Sequence, residues 1–184
     1  MTVPARLTTD DTVLVLIDFQ KRLFPVMHDG EKLLRNVLKL IQGAQVLQVP
    51  ILLTEQYPRG LGPTLPEIKE LLPDIIPIEK TCFNCCDEEK FNIALAALHR
   101  KQVLVAGIEA HICVYQTVVA LSGAGYEVQV VADAISSRDP ENKLVTMSKL
   151  GAAGISPTTV EMALFELLKT GSGDVFKQIS KIVK

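Results

Sequence analysis

The chain has 184 residues, of which 48% are hydrophobic, 22% charged and 5% aromatic, and 19 Lys+Arg against 21 Asp+Glu leave a net charge of −2. This length suits a single domain over 1–184, the apolar fraction excludes disorder, and no apolar run approaches the roughly 20 residues of a membrane span. A near-neutral balance offers no phosphate-seeking face, so neither nucleic acid nor a membrane is an expected partner.

Short apolar runs alternate with longer segments of helical period. Val13-Leu14-Val15-Leu16-Ile17 reads as a strand buried on both faces. After Gly30, the set Leu33, Leu34, Val37, Leu38, Ile41, Ala44 recurs at helical spacing, and Ile51-Leu52-Leu53 follows as a second strand. Ile75-Ile76-Pro77-Ile78 predicts a short third strand, placed at a sheet edge by its internal proline. Phe91, Ala94, Leu95 and Leu98 mark a helix, Val103–Ala106 a fourth strand ended by Gly107, and a further helix runs from near Ile112 to Gly123. Val128–Val131 is a fifth strand, followed by a helix near Asn142–Leu150 and a short sixth strand near Ile155. Thr158-x-x-Glu161 has the capping-box form and predicts a helix to about Lys169. The stripe Val175, Phe176, Ile179, Ile182, Val183 predicts a last helix docked on the body. Such alternation argues a three-layer α/β/α fold: a six-stranded, mostly parallel sheet with helices on both faces. The glycine- and proline-rich stretch from Gln56 to Pro66 reads as a rim loop.

In an open α/β sheet, ligands gather beyond the carboxyl ends of the strands. The first run ends in Asp18, the third in Glu79-Lys80, and the fourth leads through Gly107-Ile108-Glu109-Ala110-His111-Ile112 to Cys113 near a helix start. Each alone has an ordinary structural explanation: a turn aspartate, a solvated lysine, a small buried thiol. Together they form a chemical set at one edge. A thiol nucleophile needs a base, which Asp18 supplies, and gains from a cation, which Lys80 supplies. Backbone N–H groups at the helix start favour a thiolate and hold an oxyanion.

The chain resembles the isochorismatase-like (cysteine hydrolase) superfamily through Val15-Leu16-Ile17-Asp18-Phe19-Gln20 with Phe24, Lys80-Thr81-Cys82-Phe83, Gly107 through Val114, and Val131-Ala132-Asp133-Ala134 with Ser137. Glu55-Gln56-Tyr57-Pro58 with Gly60-Leu61-Gly62 is similar to the branch named isochorismatase domain-containing proteins. The resemblance implies Asp18, Lys80 and Cys113 as a catalytic triad, with Glu109 and Cys113 N–H groups as the oxyanion hole. It also implies a cis peptide at Ile108–Glu109 and a homodimer or higher homo-oligomer. Phe19, Phe24, Gln56, Tyr57 and Phe83 are the expected substrate-binding residues. Cys113 argues against vinyl-ether cleavage by true isochorismatases, which generally lack the cysteine. The absence of histidine between His28 and His99 argues against the metal site of the nicotinamidases. The expected activity is therefore hydrolysis of a small amide-type substrate through a thioester, without metal or cofactor.

Competing readings exist. Cys82-x-x-Cys85-Cys86 has the form of a thiol redox pair, and with His111 and Cys113 it offers zinc-ligand types; buried or incidental thiols are the plainer explanation. A binding or scaffold protein without catalysis on the same fold is the alternative from another class. Four cysteines make no disulfide scaffold, and no apolar signal segment precedes Asp10-Asp11, so a cytoplasmic location is expected.

Overall fold

Six strands, β1 (Thr12–Ile17), β2 (Ile51–Gln56), β3 (Ile78–Lys80), β4 (Gln102–Ile108), β5 (Glu127–Ser136) and β6 (Ser156–Thr158), form one sheet in the order β3-β2-β1-β4-β5-β6. Every neighbouring pair is parallel. The coordinates are a computed structural model, and they describe residues 6–184. All α-helices lie between or after strands: α1 (Gly30–Val46), α2 (Pro58–Leu61), α3 (Pro66–Leu71), α4 (Glu89–Ala97), α5 (Tyr115–Gly123), α6 (Pro140–Ala152), α7 (Val160–Leu168) and α8 (Asp174–Val183). The three-layer α/β/α architecture expected from the alternation is the one observed.

Strand periodicity divides the core. Leu14 and Leu16 of β1 face α1, α7 and α8, whereas Val13, Val15 and Ile17 face α4, α5 and α6. Because β1 and β4 are covered on both sides, all thirteen of their residues are buried, which is why they read as unbroken apolar runs. Each fully buried Leu, Ile or Val contributes about 1.5–3 kcal/mol to folding. Helix α8 docks through Ile179, with Phe176, Ile182 and Val183 packed on the α1 side of the core, as its apolar stripe predicts.

Three boundaries differ from expectation. The third strand is at the sheet edge but comprises Ile78–Lys80; Ile75, Ile76 and Pro77 precede it, with Ile76 86% exposed. Proline has no N–H to give a ladder, so pairing with β2 begins only after it. Strand β5 continues to Ser136, past the apolar run. The cap of α7 is Thr159, which accepts from the Met162 N–H, while Thr158 closes β6.

Candidate active site

Strand register brings the candidate residues together. Ile17 lies opposite Thr54 of β2 and Gly107 of β4, and Gln56 lies opposite Lys80 of β3. Asp18 follows directly at the carboxyl edge with φ 58°, a left-handed backbone that aspartate tolerates better than most residues. Gly107 permits the close approach of β1 and β4: a Cβ there would lie 2.5 Å from Ile17 Cβ and 2.7 Å from its carbonyl oxygen. The Ile108–Glu109 peptide is cis. Beyond it, a π-helical turn, Ala110–Val114, carries Cys113 and runs straight into α5.

The polar centre of the site is fully buried. Asp18 Oδ1 accepts from the Thr54 hydroxyl at 2.7 Å and Oδ2 from Lys80 Nζ at 2.7 Å, an ion pair with no solvent exposure on either side chain. Lys80 also donates to Gln56 Oε1 at 2.7 Å and to the Cys82 carbonyl at 3.2 Å, which uses all three of its protons. Burial disfavours its ammonium form, but the charge of the Asp18 carboxylate and its hydrogen bond outweigh that, and the Lys80 pKa is raised. Cys113 lies beside the Asp18 carboxylate; burial first, then that negative charge, push its thiol well above the ordinary range, and Lys80 only partly opposes them. Burial and the Asp18 charge thus favour the thiol form of Cys113, against the expectation that the helix start and Lys80 would favour a thiolate. Cys113 is the fourth residue of a π-turn, not the first of an α-helix, and its surroundings are desolvated.

A second thiol borders the same cluster. Cys85 is completely buried, its N–H donates to Thr117 Oγ1 at 2.9 Å, and its sulfur adjoins the Thr54 and Thr117 hydroxyls. Its thiol is pushed up to about 12, chiefly by burial. Cys82 and Cys86 are half-buried, and all four cysteines are free. Nothing in the C-x-x-C spacing signals that its middle member turns inward.

The 57–65 loop is tied down around the site. Gln20 donates to the Gln56 and Gly62 carbonyls and accepts from Gln56 N–H. Glu55 Oε1 takes both the N–H and the hydroxyl of Thr64 at 2.7 Å. Tyr57 and Phe83 are each 54% exposed on the rim, and Tyr57, Pro58, Lys80 and Thr81 line a cavity of about 380 Å³ that touches Lys80 but neither Asp18 nor Cys113. A cavity of about 410 Å³ at the end of β5 is lined by Asp133, Ser136 and Lys143 and by none of Asp18, Lys80 and Cys113.

Of the expected substrate-binding residues, Phe19 is wholly buried and Phe24 partly so, both in the α1-side core; Phe19 faces packing, not the cavity. Gln56 spends its amide on Lys80 and the Thr81 carbonyl. The Glu109 carboxylate is held by the Arg138 N–H and guanidinium at 3.0 and 3.1 Å. His111 Nδ1 meets Ser137 Oγ at 2.9 Å. Sequence alone does not single out Thr54 and Thr117, and it presents Cys85 only within the C-x-x-C spacing, because their partners lie on other strands and turns.

The Isochorismatase domain profile matches residues 12–162. Isochorismatase domain-containing protein 2 of Danio rerio is 35% identical over 178 residues, covering 97% of this chain and 89% of that protein. A secreted isochorismatase effector of Phytophthora sojae, Isc1, is 33% identical and covers 97% of this chain and 87% of its own. Among solved structures, a Caenorhabditis elegans protein described as MAR1 ribonuclease superimposes with TM-score 0.91 at 33% identity, covering 97% of this chain and 92% of its own. YcaC of Pseudomonas aeruginosa, solved with hexane-2,5-diol and covalent acrylamide, gives 0.93 at 27% identity, covering 100% of this chain and 92% of its own. YcaC of Escherichia coli, described as an octameric hydrolase of unknown specificity, gives 0.93 at 27% identity, covering 99% and 91%.

Proposed function

From its membership in the isochorismatase domain family, we propose that the chain is a cysteine-dependent hydrolase of a small amide-type substrate, with Asp18, Lys80 and Cys113 as one catalytic unit. The observation that carries this reading is the buried Asp18–Lys80 pair set beside the Cys113 thiol. A nucleophile whose thiol is favoured at rest needs a base in contact, and Asp18 is that base.

Asp18 takes the thiol proton as Cys113 Sγ bonds to the substrate carbonyl carbon. Lys80 remains charged throughout and balances the aspartate. The N–H groups of Glu109 and Cys113 hold the oxyanion of the tetrahedral intermediate. The C–N bond then breaks, Asp18 passes its proton to the departing amine, and a thioester to Cys113 remains. Water, deprotonated by the same aspartate, attacks the thioester and releases the acid and the free thiol. Tyr57 and Phe83 form the apolar rim of the substrate entrance.

The chemistry proceeds without a metal, since Glu55 near the end of β2 is engaged by Thr64 and no histidine lies between His28 and His99 to join it as a ligand. Chelation should leave turnover unchanged, and activity restored to a chelated enzyme by zinc or iron would contradict this. Assembly as a homodimer or larger oligomer is supported by the octameric description of E. coli YcaC, and a cytoplasmic location by the four free thiols. The covalent acrylamide in Pseudomonas YcaC supports a reactive nucleophile in this family.

The test is a panel of small amides, esters and RNA assayed with the wild type and Cys113→Ala. Hydrolysis of an amide that is lost in Cys113→Ala supports the reading. RNA cleavage alone, or amide turnover undiminished in Cys113→Ala, contradicts it. Full silence across the panel together with a Cys113 that forms no acyl adduct favours the non-catalytic binding protein.

A further inference from the structure

We propose that Thr54 is a positioning residue that keeps the Asp18 carboxylate aligned in both of its protonation states, with the Cys85 sulfur as the second partner of the Thr54 hydroxyl. The inference rests on the reading of Asp18 as the base.

Asp18 is faced by Lys80 from β3, Thr54 from β2 and Cys113 from the π-turn, with Cys85 behind Thr54. Lys80 can only donate, so it serves the ionised carboxylate and cannot accept a proton bond from a carboxylic acid. The Thr54 hydroxyl can do both. With Asp18 ionised, it donates to Oδ1 at 2.7 Å. Once Asp18 has taken the Cys113 proton on Oδ1, the hydroxyl turns about its Cβ–Oγ bond and accepts from that Oδ1–H. Its own proton then needs an acceptor in a site closed to water. The Cys85 sulfur adjoins this hydroxyl, is completely buried and has no part in the hydrolysis itself. Thr54 is anchored for this role: its own carbonyl accepts the Asp18 N–H at 3.3 Å, so side chain and backbone fix one residue.

Acrylamide is the probe. Cys113 sulfur bonds to its terminal alkene carbon, and the thiol proton, carried by Asp18, ends on the carbon next to the carbonyl. The alkylation rate of the Cys113 peptide is followed between about pH 5 and 9 in wild type, Thr54→Val, Thr54→Ser and Asp18→Asn. Thr54→Val conserves shape and should slow alkylation about tenfold at neutral pH. Thr54→Ser should restore the rate. A wild-type rate in Thr54→Val, or a folded Thr54→Ser that behaves like valine, overturns the proposal. If Thr54→Val does not fold, Cys85→Ala decides: a plateau lowered a few-fold upholds the role of the sulfur, and an unchanged plateau overturns it. An Asp18→Asn protein that alkylates at the wild-type rate refutes the base assignment itself, a failure distinct from that of Thr54.

Discussion

Lys80 holds the candidate site together more than it activates the thiol. Its three protons go to Asp18, Gln56 and the Cys82 carbonyl, and its pull on Cys113 is outweighed by burial and by Asp18. Lys80→Met strands a buried carboxylate, so it should cost about 3–5 kcal/mol of stability in urea unfolding. Asp18→Asn in the same chain should return a large part of that loss, since no uncompensated charge remains. A Lys80→Met protein as stable as wild type would contradict the pairing. Activity should follow a different rule: with an amide substrate, Asp18→Asn and Cys113→Ala together should cost little more than either alone, because a broken unit cannot be broken twice. Additive losses in kcat would separate the two residues. Asp18 is legible in the sequence because it directly follows the unbroken apolar run of β1, and Cys113 because it lies in the short turn beyond the equally apolar β4. The charge state of Cys113 was not legible, since it depends on burial and on a carboxylate 95 positions away by number. Phe19 misled for a related reason: adjacency to Asp18 suggested the pocket, but the chain turns it into the α1-side core.

The meeting of β1, β2 and β4 sets the geometry of the site, and Gly107 is its tightest point. A methyl group there would sit 2.5 Å from Ile17 Cβ and 2.7 Å from Ile17 O, contacts that only backbone movement relieves. Gly107→Ala should lower stability by about 1–3 kcal/mol and reduce turnover further, because Ile17 and Gly107 are the last paired residues before Asp18 and the π-turn. A variant with wild-type thermal midpoint and turnover would show that the strands have room to spare. The Gln20 and Glu55 ties across the 57–65 loop act on the same edge. The central strands were readable because both faces are covered, leaving no polar alternation to interpret. The edge was not. Only three residues of β3 pair with β2, so Ile75 and Ile76 outweighed them in the pattern although Pro77 bars pairing before Ile78. Thr54 lies in β2 just past the apolar run Ile51–Leu53 that marks the strand in sequence, and its partner Asp18 is set by register between β1 and β2, which no local pattern encodes.

The molecule as a whole should be sensitive to alkali. Cys85 is protonated in the folded chain up to about 12, against an ordinary 9.0, so the unfolded chain loses its proton first as the pH rises. The native state then binds more protons, and stability falls with pH above 9.0, by an order of 4 kcal/mol at about 1.4 kcal/mol per unit. The raised Lys80 acts in the same direction, its contribution present below 10.5 and lost as pH climbs through its folded value. The thermal midpoint should be level up to pH 9.0 and drop steadily beyond it, less steeply in Cys85→Ala; equal slopes in the two proteins would remove Cys85 as the cause. The same intact chain offers the most direct test of the central claim that Asp18, Lys80 and Cys113 form one hydrolytic unit. Mass spectrometry of the whole protein, quenched in acid during turnover of a small activated amide or ester, should show a single acyl group on the Cys113 peptide. That adduct should be absent in Cys113→Ala and should fail to accumulate in Asp18→Asn. Sustained turnover with no acyl group on Cys113, or the same adduct formed equally well in Asp18→Asn, would contradict the account.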